Sequence, residues 1–172
     1  MELVKEIHKI LVGGTYDERR YIVNEERPGE FKKHDYVTGV HEVGSSVENV
    51  ESELRDLFTE VNEYGGKNVL KVSTYLHARF EYIHPFADGN GRVGRTLMNY
   101  YLMIHNYPPL IVYDEDKRIY FECLQKYDET EEIDSLCEFL KYETEKTWEK
   151  MVALADGIKP ERKRLTDFIE GS

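Results

Sequence analysis

The sequence predicts a mainly α chain, a helical bundle carrying one small β-hairpin, and three observations support this. Apolar residues recur three or four positions apart over most of the chain, as helices buried on one side require. Glycine and proline stand between these runs rather than inside them. Strand-like alternation is confined to Tyr36-Val37-Thr38-Gly39-Val40-His41-Glu42-Val43, whose central glycine suits a hairpin.

The elements follow in order. Met1 to Gly13 contains Glu2, Lys5, Glu6 and Lys9, so it reads as neither a signal peptide nor a membrane span. After the hairpin, Ser45-Ser46-Val47-Glu48 has the form of a capping box opening a helix with Val47, Val50, Leu54, Leu57 and Val61 on one face, and Gly65-Gly66 ends it. Gly65-Gly66-Lys67-Asn68 lacks the glycine spacing and the Ser/Thr of a phosphate loop and reads as a turn. Lys67 to Ile83 places Val69, Val72, Leu76, Phe80 and Ile83 on one helical face. Pro85 disfavours the α conformation at His84, which should stand at the rim of that helix. A further helix is expected from about Arg92, with Leu97, Tyr100, Tyr101 and Ile104 on its buried side. Pro108-Pro109 and Leu110 to Tyr113 suggest an extended segment, followed by a helix near Lys117 to Tyr127. Another is expected from Thr130 to about Ala155, with Ile133, Leu136, Cys137, Leu140, Thr144 and Trp148 in register, until Gly157 breaks it.

A chain of 172 residues suits a single domain, 1–172. The formal net charge of −11 and pI near 5.1 argue against nucleic acid or an anionic membrane as partner. Cys123 and Cys137 fit neither a zinc set nor a disulfide framework and read as reduced core thiols, with the cytoplasm as the expected location.

Chemistry is concentrated in His84-Pro85-Phe86-Ala87-Asp88-Gly89-Asn90-Gly91-Arg92-Val93-Gly94-Arg95. Gly89-Asn90-Gly91 can adopt positive φ and turn backbone N–H groups into an anion nest, and the amino end of the following helix would face the same anion. Arg92 and Arg95 lie in the first turn of that helix, where a cation is disfavoured by roughly 0.3 to 1 kcal/mol unless an anion is bound. Asp88 would repel a phosphate unless a divalent cation sat between them, and hard oxygen ligands select magnesium. His84 is the nearby side chain able to take a proton near neutral pH. Base, anion cradle, carboxylate and arginines together point to attack of a hydroxyl on a nucleotide phosphate. His77, one heptad earlier, reads as a packed or hydrogen-bonded helix residue rather than a second base.

The run resembles the signature of the Fic family, His-x-Phe-x-Asp/Glu-Gly-Asn-Gly-Arg-x-x-Arg, at every fixed position. The resemblance implies a Fic-type orthogonal helical bundle and AMP transfer from ATP to a hydroxyl side chain of a target protein, with release of pyrophosphate. Position by position it implies that His84 deprotonates the hydroxyl and Asp88 holds magnesium. Gly89, Asn90 and Gly91 would form the anion hole, Arg92 contact phosphates, Arg95 hold the γ-phosphate, and Phe86 anchor the loop in the core. The Doc branch, which phosphorylates its target, is similar but carries lysine where this chain has Gly91, so Gly91 favours AMP transfer. The motif is also compatible with a branch that transfers phosphocholine. In the family the hairpin is a flap that clamps an extended target segment by strand addition, which would fall to Val37, Thr38, Gly39, Val40 and His41. His41 stays open between a surface residue and a target contact.

At the far end, Pro160 to Gly171 is a short amphipathic stretch in which Leu165, Phe168 and Ile169 would face the protein. Thr166-x-x-x-Glu170-Gly171 resembles the inhibitory motif Ser/Thr-x-x-x-Glu-Gly/Asn of Fic proteins, implying an inhibitory helix over 159–171. A Glu170 carboxylate beside Arg95 would take the place of the γ-phosphate. Two alternatives stay open: removal of AMP from a modified target at the same site, and a non-catalytic nucleotide-binding regulator or toxin-antitoxin component. A second copy of the chain, through self-modification or oligomerisation, is a further candidate partner.

Overall fold

The computed structural model describes residues 1–36 and 44–157. Among them the secondary structure is helical and contains no strand. The expected hairpin residues Val37, Thr38, Gly39, Val40 and His41, and the expected inhibitory residues Thr166, Glu170 and Gly171, lie outside the described residues.

Among the described residues six α-helices form the frame: α1 (Glu2–Val12), α2 (Val50–Glu63), α3 (Val69–Ile83), α4 (Asn90–Ile104), α5 (Lys117–Thr130) and α6 (Asp134–Ala155). A π-helical turn at Arg19–Val23 and a 3-10 turn at Asp114–Asp116 lie between them. The antiparallel pair α3 and α4, which packs more extensively than any other pair, is the centre of the molecule. Val72, Leu76, Phe80 and Ile83 of α3 and Val93, Leu97 and Tyr101 of α4 join the buried faces of α1 and α2 in one core. Ala78 of α3 and Met98 and Leu102 of α4 join α5 and α6 in a second. The central helices therefore bury two stripes each, and the short connection between them is held from both ends.

Several expectations are corrected. Helix α4 starts at Asn90, and Tyr100 and Ile104 are 46% and 53% exposed, because its two cores take the stripes through Leu97 and Met98 instead. The capping box does not form. Helix α2 starts at Val50 after a turn, and the Ser45 hydroxyl donates to Glu53 Oε2 at 2.7 Å. Thr130 ends α5, and α6 begins at Asp134. Trp148 is exposed, while Glu143 and Thr147 are buried in its stead. The two cysteines are free and half-buried. Helix α1 had been visible in the sequence only as a charged amino end. No helix among the described residues is long and apolar enough to cross a membrane.

The two-core arrangement makes a stability prediction for α4. Met98→Ala and Leu102→Ala should each cost about 2 to 5 kcal/mol in urea unfolding, whereas Tyr100→Ala and Ile104→Ala should stay within about 0.5 to 1 kcal/mol of the parent. Equal losses in both sets would contradict the assigned faces.

Candidate active site

His84 ends α3 as the sequence led us to expect. The residue before Pro85 is excluded from the right-handed helix, and His84 adopts the left-handed conformation, φ 50 and ψ 60, while its N–H still bonds Phe80 O at 3.1 Å. For a residue with a Cβ this conformation costs roughly 1 to 2 kcal/mol, and such strain tends to collect at functional sites. It is held from outside by Gly44, whose missing Cβ would stand 2.9 Å from His84 Cβ, and by Ser45 N donating to Ile83 O at 3.1 Å. Burial lowers the His84 pKa to about 4, helped by the Lys32 ammonium and opposed by a hydrogen bond to the Glu81 backbone and by the Asp88 carboxylate. The ring is neutral at physiological pH, with a lone pair able to accept a proton.

The loop from His84 to α4 is closed by Asn90. Phe86 N donates to Asn90 Oδ1 at 2.9 Å and Asn90 Nδ2 donates to Phe86 O at 2.8 Å, with Asn90 2% exposed. The Asn90 side chain is thus committed to the loop, and any anion contact at this position falls to its backbone. Phe86 is fully buried and stacks on His8 of α1 at 3.7 Å between ring centroids, in keeping with its expected anchoring role. His8 Nδ1 accepts the Gly29 N–H at 2.8 Å, so its Nε2 carries the proton and donates to Asp88 O at 3.0 Å. One neutral histidine thereby ties α1 and the segment before α2 to the loop.

Positive φ occurs at Gly89 (φ 80), while Asn90 and Gly91 are already helical. The expected three-residue nest is therefore the amino end of α4, where no side chain caps the helix and its first N–H groups remain free of intrahelical partners. Gly89 is required sterically as well, since a Cβ there would collide with Val12 Cγ1. Asp88 Oδ1 accepts Gly89 N at 2.7 Å, and the carboxylate stands 3.9 Å from Arg92 and 4.0 Å from Arg20. Arg92 Nη1 also donates to the Leu11 carbonyl at the end of α1, at 3.0 Å. Arg95 points to the other side of α4, where Nη1 reaches the Tyr120 hydroxyl at 3.5 Å. A cavity of about 220 Å³ opens beside it, lined by Arg95, Tyr113, Lys117, Tyr120 and Phe121 among others.

Behind Arg95 lies a polar cluster that the sequence did not reveal. His77 is fully buried and bonds Tyr120 Oη through Nε2 at 2.6 Å, which bears out its reading as a hydrogen-bonded helix residue. Burial and the Arg95 charge lower its pKa to about 3. Glu81, one turn along α3, is raised by burial to about 7, against the pull of Arg95. Of the expected site residues, His84, Asp88, Gly89, Asn90, Gly91, Arg92 and Arg95 gather around the α3–α4 connection. The residues missed are His8, Arg20, Glu81 and Tyr120, and no local pattern marks them, because each is brought in by tertiary packing. A cavity of about 660 Å³ between α2 and α3, beside Ile133, lies away from this loop.

Residues 1–102, more than half of the chain, match the family described as Fic/DOC family, and the chain belongs to that family. Over 60 residues it is 42% identical to a protein adenylyltransferase Fic of Aedes aegypti, a match covering 35% of this chain and 12% of the relative. Over 78 residues it is 38% identical to the protein of the same name from Drosophila persimilis, covering 45% and 15% respectively. The matched part is therefore a small fraction of those relatives. Among solved structures, a Fic domain containing signaling protein from Bacteroides thetaiotaomicron superposes with a TM-score of 0.77 at 22% identity, over 94% of this chain and 65% of that one. Fic-1 from C. elegans gives 0.74 at 20% identity, over 92% and 44%. At these identities the likeness is one of fold, and the fold is the Fic-type helical bundle.

The buried ionisable groups have opposed effects on stability. His8, His77 and His84 are held below their ordinary 6.5. Their stabilisation is complete above that pH and is lost as pH falls toward the folded values. Glu81 is raised above 4.5, so its contribution is complete below 4.5 and is lost as pH rises through about 7. Urea unfolding should show a lower midpoint at pH 5 than at pH 7, and Glu81→Gln should steepen that loss by removing the opposing term. A midpoint unchanged between the two pH values in Glu81→Gln would contradict the neutral histidines.

Proposed function

We propose that the chain is a protein adenylyltransferase, working as one Fic domain in the cytoplasm, that transfers AMP from ATP to a hydroxyl side chain of a target protein. The observation that carries this reading is the uncapped amino end of α4, flanked by Arg92 and Arg95 and joined through a closed loop to a buried neutral histidine. His84 accepts the proton of the target hydroxyl as its oxygen attacks the α-phosphate. The bond from that phosphorus to the bridging oxygen breaks, and pyrophosphate leaves. A base lowered to about 4 is weak alone, but the negative charge of a bound triphosphate raises it, the direction that makes it effective. The free N–H groups at the start of α4 and the two guanidinium groups stabilise charge on the phosphates. The cavity beside Arg95 offers aromatic faces and the Lys117 ammonium, a lining suited to a nucleotide.

Asp88 fits magnesium as a single half-buried carboxylate, the kind of donor that holds this ion together with substrate phosphates. Magnesium there would neutralise phosphate charge, and Arg92, now facing Asp88 at 3.9 Å, would be free to turn toward the phosphates. Gly91 supports AMP transfer over phosphorylation of the target, because a Cβ there would stand 3.1 Å from Arg95 Nη1 and a lysine would crowd the guanidinium. Glu170, following Thr166 and preceding Gly171, is the inhibitor in this reading: its carboxylate pairs with Arg95 and excludes the γ-phosphate. The flap residues 37–41 dock the target segment by backbone pairing.

The test is AMP transfer from α-labelled ATP with magnesium, using a cell lysate as target source. Glu170→Gly should raise labelling at least tenfold over the parent, and Glu170→Gly/His84→Ala should abolish it. Equal labelling of parent and Glu170→Gly would overturn the inhibition, and labelling that survives loss of His84 would overturn the base.

A further inference from the structure

The polar chain running inward from Arg95 has a proton order fixed by its donors. Arg95 Nη1 can only donate, and it meets the Tyr120 hydroxyl oxygen at 3.5 Å. The Tyr120 O–H therefore points the other way, to His77 Nε2 at 2.6 Å. That makes Nε2 the acceptor and leaves the imidazole proton on Nδ1. Nδ1 in turn lies 3.9 Å from Glu81 Oε1, and both atoms are buried without a hydrogen-bond partner among the described residues. A shift of about 0.8 Å would bring them to an ordinary N–H···O length. Gly94 keeps this space open, since a Cβ there would stand 2.8 Å from Glu81 Oε1 and 3.0 Å from His77 Nδ1. With Tyr120 2% and His77 0% exposed, water does not replace either partner.

We propose that Glu81, His77 and Tyr120 form a buried relay of positioning residues that aims the Arg95 guanidinium at the terminal phosphate of a nucleoside triphosphate. The proposal rests on the reading above in which Arg95 meets that phosphate. A purely space-filling cluster would not need this order of donors and acceptors, nor two glycines along one helix, Gly91 making room for Arg95 and Glu81 and Gly94 for Glu81 and His77. The relay also explains why the charge of Arg95 stays available. His77 is neutral and burial raises Glu81 to about 7, so near neutral pH the counter-charge that faces Arg95 from inside the protein is only partial.

The experiment is calorimetric titration of the full chain with Mg-ATP and, separately, with AMP. A Glu170→Gly background keeps the proposed inhibitory carboxylate from competing. Tyr120→Phe, which removes one oxygen and keeps the ring, should weaken ATP about fivefold, the size of one neutral hydrogen bond, and leave AMP unchanged. Glu81→Gln, which keeps the side chain's shape, should shift ATP in the same direction by about twofold and provides a second reading should Tyr120→Phe fold poorly. Arg95→Ala should weaken ATP more than either and spare AMP. If Arg95→Ala lowers ATP affinity while Tyr120→Phe and Glu81→Gln bind both nucleotides as the parent does, the relay is overturned and the phosphate reading stands. Equal losses for ATP and AMP in Tyr120→Phe also overturn the relay, because they mark a merely structural role. If Arg95→Ala leaves the ATP-to-AMP ratio unchanged, the phosphate reading itself fails, and the relay with it.

Discussion

Two hydrogen bonds between the Asn90 side chain and the Phe86 backbone govern the geometry of this molecule's candidate site. They close the connection between α3 and α4 on itself in a buried setting, where an unmet amide would cost about 1 to 3 kcal/mol. The closed loop places a left-handed histidine at one end and an uncapped helix amino end at the other. Phe86 seats it in the first core, and His8, stacked on Phe86 and bonded to Asp88 O, fastens it to α1. The central helices, each shared between two cores, cannot easily move apart, so the loop inherits their rigidity.

Burial rather than pairing sets the charges around that loop. Desolvation is the largest cause of the lowered values at His8, His77 and His84 and of the raised one at Glu81. The histidines near the loop are therefore neutral, and its guanidiniums are met by half-exposed carboxylates, a carbonyl and a hydroxyl. Arg20 pairs with Asp17 at 3.3 Å and stands 4.0 Å from Asp88, Arg92 is shared between Asp88 and the Leu11 carbonyl, and Arg95 rests on a tyrosine hydroxyl. Contacts of this kind at the surface contribute little to stability, so an arriving polyphosphate would displace them at small cost. The site reads as an anion cradle kept loosely occupied by its own side chains.

Much of this was legible in the sequence because it is local. Pro85 dictates the end of α3, the Gly-Asn-Gly run dictates a sharp turn into α4, and the spacing of Leu76, Phe80 and Ile83 marks a buried face. The failures share a physical cause. The second half of α4, Leu97 to Ile104, is apolar except for Asn99, and periodicity alone could not say that the stripes through Leu97 and Met98 would be buried while Tyr100 and Ile104 faced outward. The capping box of Ser45 to Glu48 lost to a tertiary bond from Ser45 to Glu53. Gly89-Asn90-Gly91 was expected to form a nest with positive φ, but only Gly89 takes it, because Asn90 already begins α4. His8, Arg20, Glu81 and Tyr120 reach the site only through packing of distant segments, a relation no single stretch of sequence records.

The central claim is that the α3–α4 connection is the nucleotide site. Titrating isotopically labelled protein with Mg-ATP while following backbone amide resonances tests it most directly. The account expects the largest shifts at residues 88–92, accompanied by a change at the His84 ring. Shifts confined to the larger groove around Tyr64, Lys71 and Tyr75, with the connection unmoved, would contradict it.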